Sequence, residues 1–201
     1  MKPFLRCLPL ALAGLALDAG AFEVSVQRLK WEGRNMYEIS VNGAVRAPPA
    51  TAWRVLTDYE QLSEFVPDLQ SCRVLSRNGN EVVVEQYGTA HFLFIPKPLH
   101  LVVRALETPI TSVDIHLVSG DMKLYASRWE LVALPGGGTR IVYGGRLIPD
   151  FYVPGLLGAR LIRADVERML TAVLARIESV HEQDMRDAAA GAAAKAALQA
   201  R

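Results

Sequence analysis

From Tyr37 to Asn42 apolar and polar side chains alternate, with Tyr37, Ile39 and Val41 set against Glu38, Ser40 and Asn42. That period of two predicts a half-buried strand over residues 36–46, the first of a sheet. Pro48-Pro49 follows, and a proline fits the first turn of a helix, where its missing N–H would have had no partner. Ala52, Trp53, Val55 and Leu56 then fall on one side of a helix and Arg54 and Asp58 on the other. A second apolar trio, Leu62, Phe65 and Val66, ends at Pro67, because the residue before a proline is driven out of the helical region. Two small helices are therefore expected to interrupt the sheet after its first strand.

Segments 71–75 and 81–89 read as a hairpin whose turn carries Asn78-Gly79, a pair that supplies the positive dihedral angles such turns need. His91–Ile95 and Leu99–Leu106 flank Pro96-Lys97-Pro98, where two ladder donors are missing. Thr111–Val118, Lys123–Leu134 and Thr139–Ile148 add three strands separated by Ser119-Gly120-Asp121 and the glycine run after Pro135. The expectation is an antiparallel meander. From Ile162 the period changes: Val166, Met169, Val173, Ile177 and Val180 form one stripe that Leu170 and Leu174 widen. Arg160, Arg163, Asp165, Glu167, Arg168, Arg176 and Glu178 make a charged opposite face. A long amphipathic helix after an antiparallel sheet must cover one face of that sheet. The alanine-rich stretch 186–201 has no large apolar stripe and is expected to be a frayed helical tail.

With 201 residues, 51% of them hydrophobic, the chain can bury the core of a single domain. Lys2 and Arg6 precede an apolar run from Cys7 to Leu17, followed by Ala19-Gly20-Ala21. That order predicts a signal peptide over residues 1–21, cleaved after Ala21, because the run is too short to span a bilayer. Export follows, to the periplasm in a Gram-negative cell. The 22 basic and 21 acidic residues include Lys2, Arg6 and Asp18, so the cleaved chain carries no net charge and a nucleic-acid partner is not expected. Cys72 alone remains after cleavage; it cannot form an internal disulfide and reads as a small buried hydrophobe.

The order of Pro49, Trp53, Leu56, Asp58, Tyr59, Phe65 and Pro67, joined by Gly120-Asp121, Trp129, Gly138-Thr139, Tyr143 and Pro149, resembles the START-like (SRPBCC) superfamily. Within it the nearest likeness is the polyketide cyclase/dehydrase and coenzyme Q-binding START-domain group, over residues 35–182. The resemblance implies an α+β helix-grip fold, in which a curved antiparallel sheet wraps a long C-terminal helix. The domain would occupy residues 22–185, leaving 186–201 as the tail.

The resemblance also implies a ligand cavity between sheet and helix. Alternation puts Tyr125, Ser127 and Trp129 on one face of their strand, taken as inward, with Tyr143 on the next strand and Met169 and Val173 across on the helix. Tyr87, Phe92 and Phe94, with Phe65 from the small helices, would stand near the mouth, where a flat ring such as a quinone can stack. These ten residues form the candidate ligand-binding set. The segment from Phe151 to Leu157 is unusually apolar for a connector and is a candidate gate or transient membrane contact.

His91, His100, His116 and His181 lack the spacings that place two imidazoles on one metal. There is no Gly-x-Ser-x-Gly elbow, phosphate loop or dinucleotide fingerprint. No metal or cofactor is expected and no residue is assigned as catalytic. The first expectation is an exported carrier of a hydrophobic small molecule such as a lipid, isoprenoid or quinone. The alternative is a cyclase/dehydratase-type enzyme acting on a hydrophobic substrate in the same cavity, with Glu85, Arg104, Asp114 or His116 as acid or base. The phase of Asp114 and His116 against Ile115 puts both on the solvent face. A protein-binding module like the ribosome-associated toxins of the related group conflicts with the leader and the neutral charge.

Overall fold

The computed structural model describes residues 22–92, 95–153, 155 and 157–199. The expected leader, Phe94, the side chain of Phe92, and Pro154 and Leu156 of the candidate gate lie outside the described residues. Eight strands, β1 (Phe22–Trp31), β2 (Arg34–Val45), β3 (Leu69–Asn78), β4 (Glu81–Phe92), β5 (Ile95–Thr108), β6 (Ser112–Gly120), β7 (Met122–Ala133) and β8 (Thr139–Pro149), form one antiparallel sheet. Its order is β1-β2-β8-β7-β6-β5-β4-β3, so the chain meanders from β3 to β8 and then closes against β2. Three helices complete the domain: α1 (Pro49–Thr57), the single turn α2 (Leu62–Phe65), and α3 (Gly158–Gln199). This is a helix-grip architecture.

Pro49 stands in the first turn of α1, and Val55 and Leu56 are buried beneath it. A 3-10 turn over Tyr59–Gln61 leads into α2. The corner is held by Glu107, which accepts from the Tyr59 hydroxyl at 3.0 Å and from Arg77 at 3.0 and 3.2 Å. Burial and the adjoining Glu107 carboxylate push the Tyr59 phenol well above its usual range, so it remains a neutral donor. Cys72 is buried, as its place in an apolar strand predicts, and accepts from Gln86 at 3.7 Å. Burial raises its thiol pKa, which leaves it a poor nucleophile.

Three elements differ from the sequence expectation. The strand expected first is the second, because β1 precedes it, paired along its whole length from Phe22↔Gly43 to Trp31↔Arg34. Its inward phase runs Val24, Val26, Arg28, Lys30, so the apolar alternation dies halfway and the ladder to β2 carries the rest. The small helices therefore follow the second strand. Pro96 and Pro98 lie within β5 rather than between strands, opposite His91 and Thr89. They are tolerated because the Thr89 N–H turns away to the Asp68 carbonyl at 2.8 Å, and β6 pairs with β5 only from Leu101 onward, leaving the proline nitrogens on a free side. Finally, α3 continues to Gln199 as one helix, about 63 Å long at 1.5 Å per residue.

The buried stripe of α3, chiefly Ile162, Val166, Leu170, Val173, Leu174 and Ile177, packs on the inner sheet face formed by residues such as Ile39, Val41, Ile141 and Leu131. Each such side chain contributes roughly 1.5–3 kcal/mol on burial. The later turns of α3 are tied to the start of α1 by Arg46 with Glu178 and Glu182 and by Arg54 with Asp184 at 2.6 Å. Beyond Met185 every described residue of the helix is exposed.

Candidate functional site

The first turns of α3 cross the sheet where the inward positions of β4 are Gln86, Gly88 and Ala90. These side chains are small or polar and leave part of the space between the helix and the sheet unfilled. A cavity of about 250 Å3 remains, just below the roughly 300–1,000 Å3 usual for small-molecule sites. Tyr125, Tyr143, Leu147 and Leu101 form its sheet wall; Ile162, Asp165, Val166 and Met169 face them from α3. The turn Val66–Leu69 and the residues Pro149 and Phe151 make its rim. Asp68 adopts a left-handed conformation with φ 66°, and its carbonyl lies 2.8 Å from where a Cβ on Gly88 would sit. Glycine at that position lets the rim turn lie directly on β4.

Besides Gln86 and Thr89 on β4, polar groups gather at two places around this largely apolar chamber. On the sheet wall the Tyr143 hydroxyl is fully buried beside Tyr125 and Ser127, and burial, reinforced by Tyr125, pushes its phenol well above the usual range. The Ser127 hydroxyl is buried behind this wall, next to Tyr143, and does not line the chamber. At the rim, Arg168 donates to Asp165 at 2.6 Å and to Asp68 at 3.0 Å, and His91 stands 3.5 Å from the other Asp68 oxygen. This clasp joins α3 to the rim turn across the mouth. Burial raises the Asp165 pKa against the opposing pull of Arg168.

Asp165 therefore holds its proton more tightly in the folded chain than in the unfolded one. Its contribution makes the native state lose stability as pH rises above the ordinary aspartate range and regain it on acidification. Thermal unfolding of the protein and of Asp165→Asn across that range should show the native protein gaining on the variant as the pH falls. A gap that moves the opposite way would mean that the Arg168 pairing outweighs burial.

Of the ten candidate residues, Tyr125, Tyr143 and Met169 line the cavity, with Ser127 behind its sheet wall. Trp129 does face inward, its ring tilted against Tyr143 at 4.6 Å, but it and Val173 are buried in the core farther along the helix. Phe65 packs on the core edge beneath the Arg176 guanidinium, 5.6 Å from its ring, next to the rim residue Val66. Phe92 and Phe94 cannot be placed for the reason already given. Tyr87 is a correction. It lies on the outer face, 43% exposed, stacked on His100 at 4.4 Å with its hydroxyl on Glu85, because the inward phase of β4 belongs to Gln86 and Gly88.

Glu85 and Arg104 are corrections as acid or base candidates, while Asp114 and His116 stand on the solvent face as their phase predicts. Glu85, Arg104, Asp114 and His116 all occupy outward phases. Arg73 at 2.7 Å, with His100, holds the Glu85 carboxyl below its usual range. Arg104 pairs with Glu81 and Asp114 with Arg128, while His116 shares with Asp114 a polar groove of about 560 Å3 on the outside of the sheet. With Asp68 of the rim turn, the carboxylate that reaches the cavity is Asp165, which the charge pattern assigns to the helix's outer face. Its spacing held the signal: three residues after Ile162 and four before Met169, it falls inside the apolar stripe. Among the described residues no cluster of three or more His, Cys, Asp or Glu could hold a metal ion, and no helix is long and apolar enough to cross a membrane.

No curated protein sequence matches this chain. Solved structures match its fold. A STAR-related lipid transfer protein fragment from Xanthomonas axonopodis superposes with a TM-score of 0.65 at 17% identity, covering 82% of this chain and 97% of that one. A START superfamily protein from Mycobacterium smegmatis gives 0.62 at 17% identity over 71% and 98% of the two chains. The Zhui aromatase/cyclase from Streptomyces sp. R1128 gives 0.59 at 17% identity over 71% and 94%. At these identities the likeness is one of fold. The family model described as polyketide cyclase / dehydrase and lipid transport matches residues 45–174, from the end of β2 into the packed part of α3. The chain belongs to that polyketide cyclase/dehydrase and lipid transport family.

Proposed function

We propose that the protein is a carrier for a hydrophobic small molecule, of the size of an isoprenoid, quinone or lipid chain segment, held between the sheet and the first turns of α3. The observation that carries this reading is the distribution of polarity in the cavity. Its walls are mostly apolar, with Gln86 and Thr89 as polar positions on β4, while the Tyr125 and Tyr143 hydroxyls stand on the sheet wall and the Asp165 and Asp68 carboxylates at the Arg168 clasp. Such an arrangement suits a molecule with a long apolar body and one polar group to be oriented. Burial at about 25 cal/mol per Å2 would drive uptake, less the cost of ordering the guest. Export by the N-terminal leader would make the cargo one that moves outside the cytoplasm, and exchange with a bilayer is then part of the cycle.

Native mass spectrometry of protein purified gently from its own compartment, followed by extraction of any bound molecule, tests the reading. A stoichiometric apolar guest supports it, and a consistently empty protein counts against it. One observation favours a second reading, an enzyme of the cyclase/dehydratase type. Asp165 lines the cavity with a burial-raised pKa, the condition a general acid or base needs. That reading requires turnover of a hydrophobic substrate that Asp165→Asn abolishes while the guest still binds.

A further inference from the structure

Pro149 and Phe151 line the cargo cavity on one side and a second, shallow crevice of about 260 Å3 on the other. The second crevice opens between the β1–β2 hairpin tip and the segment after β8, with Lys30, Arg34 and Tyr152 among its walls. Two properties of this end of the molecule stand out. The first is exposed apolar and aromatic surface: Trp31 is 54% exposed, Tyr152 84% and Leu29 38%, with Trp31 directly opposite Arg34 in the hairpin. The second is unbalanced charge. Lys30, Arg34 and Arg160 have no carboxylate partner among the described residues, Arg28 donates to the Gly155 carbonyl rather than to an acid, and Lys97 lies over the Phe151 ring at 5.7 Å. Lys123 is neutralised by Asp150 at 2.7 Å, and Glu32 at the hairpin turn is the opposing charge. At the far end of α3, Arg46 and Arg54 are instead paired with Glu178, Glu182 and Asp184.

The helix adds to this field. The positive end of a helix dipole lies at its N-terminus, where acidic side chains are favoured. The first turn of α3 has none and carries the exposed Arg160 instead. The whole chain is close to neutral, so this is a local excess of positive charge placed around an aromatic tip, beside the wall of the cavity. A tryptophan and a tyrosine flanked by lysine and arginine suit the headgroup layer of a bilayer, where aromatic rings settle at the apolar–polar boundary and cations meet lipid phosphates. A protein partner of acidic surface would use the same charges, but it gives no reason for a nearly fully exposed Tyr152 beside the cargo chamber.

We propose that the β1–β2 hairpin tip and residues 150–153 after β8 dock on an anionic bilayer surface, with Trp31 and Tyr152 entering the headgroup layer and Lys30, Arg34 and Arg160 meeting lipid phosphates. Docking there brings the Pro149–Phe151 wall of the cavity against the membrane, so cargo passes at that wall. This rests on the carrier reading for its purpose but not for its test.

The test is cosedimentation of the purified protein with vesicles of phosphatidylcholine alone and of phosphatidylcholine mixed with phosphatidylglycerol. Binding is expected only to the mixed vesicles, weakening as salt is raised. The double variant Lys30→Glu/Arg34→Glu should bind at least twentyfold more weakly, since each lost cation costs about fivefold near an anionic surface. Trp31→Ala should also weaken binding, and all variants should keep the native melting temperature. Equal binding to both vesicle types, undiminished binding by the double variant, or no vesicle binding at all would each overturn the proposal, the last leaving the face to a soluble partner. A fluorescent fatty-acid probe in the same variants separates the two readings: retained probe affinity with lost docking supports this surface, whereas docking without probe binding would sink the carrier reading alone.

Discussion

Gly120→Ala should cost about 4 kcal/mol of stability. Gly120 ends β6 with φ 129°, a region side-chain-bearing residues rarely enter, and that strain alone is worth about 1–3 kcal/mol. A Cβ there would also overlap the His100 carbonyl oxygen and come within 2.9 Å of the Leu101 Cα. Both are backbone of β5 and cannot swing aside as a flexible side chain could, so the overlap adds about 1–3 kcal/mol. The chain bends at this point because β5 and β6 slip register between Val102 and Val103. Asp121 locks the bend by accepting the His100 N–H at 2.7 Å while its own N–H returns to the His100 carbonyl at 2.9 Å. Against a typical total of about 5–15 kcal/mol, the loss should move the urea midpoint far enough to leave part of the population unfolded at body temperature. Gly191→Ala is the control: nothing lies within 4 Å of its Cβ, it stands in an exposed helix, and it should be neutral or gain up to about 1 kcal/mol. Equal midpoints for the two variants would mean that the bend is not built as described.

Met169→Trp should lower affinity for an apolar guest by about seventyfold. Met169 projects from α3 into the cavity opposite Tyr125 and Tyr143, so an indole there takes the guest's place. Excluding about 100 Å2 of guest surface forfeits about 2.5 kcal/mol. Titration with a fluorescent fatty-acid analogue reads the effect, and the melting temperature should hold or rise because the larger ring enters empty space. Trp129→Ala should behave in the reverse way, losing about 3–5 kcal/mol of stability through a core void with its effect on the guest only indirect. If Met169→Trp left affinity unchanged, the guest would lie elsewhere, with the outer groove near Asp114 and His116 as the next place to look.

The elements that bury a continuous apolar stripe were legible in the sequence. Pro49 marks α1, Asn78-Gly79 turns the β3–β4 hairpin with Gly79 at φ 57°, and the Ile162–Ile177 spacing gives the packed face of α3. What escaped does so for a shared reason: a cavity exists where the core-forming pattern fails. On β4 the inward residues facing the chamber are Gln86, Gly88 and Ala90, so a search for large apolar side chains selects Tyr87, one position out of phase and on the wrong face. On α3 the charge of Asp165 conceals its place in the stripe. Within β1 the inward phase turns basic after Val26, which hides the strand. Trp129 was readable as inward, but alternation cannot tell a residue packed in the core from one that borders a space.

The sheet has two margins, β1 on one side and β3 on the other. A closed barrel fixes its bore by strand number and stagger, and widening it means breaking backbone hydrogen bonds. Here the two margins can spread while every ladder between neighbouring strands stays intact, with the side-chain packing against α3 and the Asp68–Arg168–Asp165 clasp resisting the motion. On the carrier reading, the capacity of the chamber would thus be elastic, set by contacts of modest individual strength, and a guest longer than the resting cavity would be accommodated by loosening the grip at its rim.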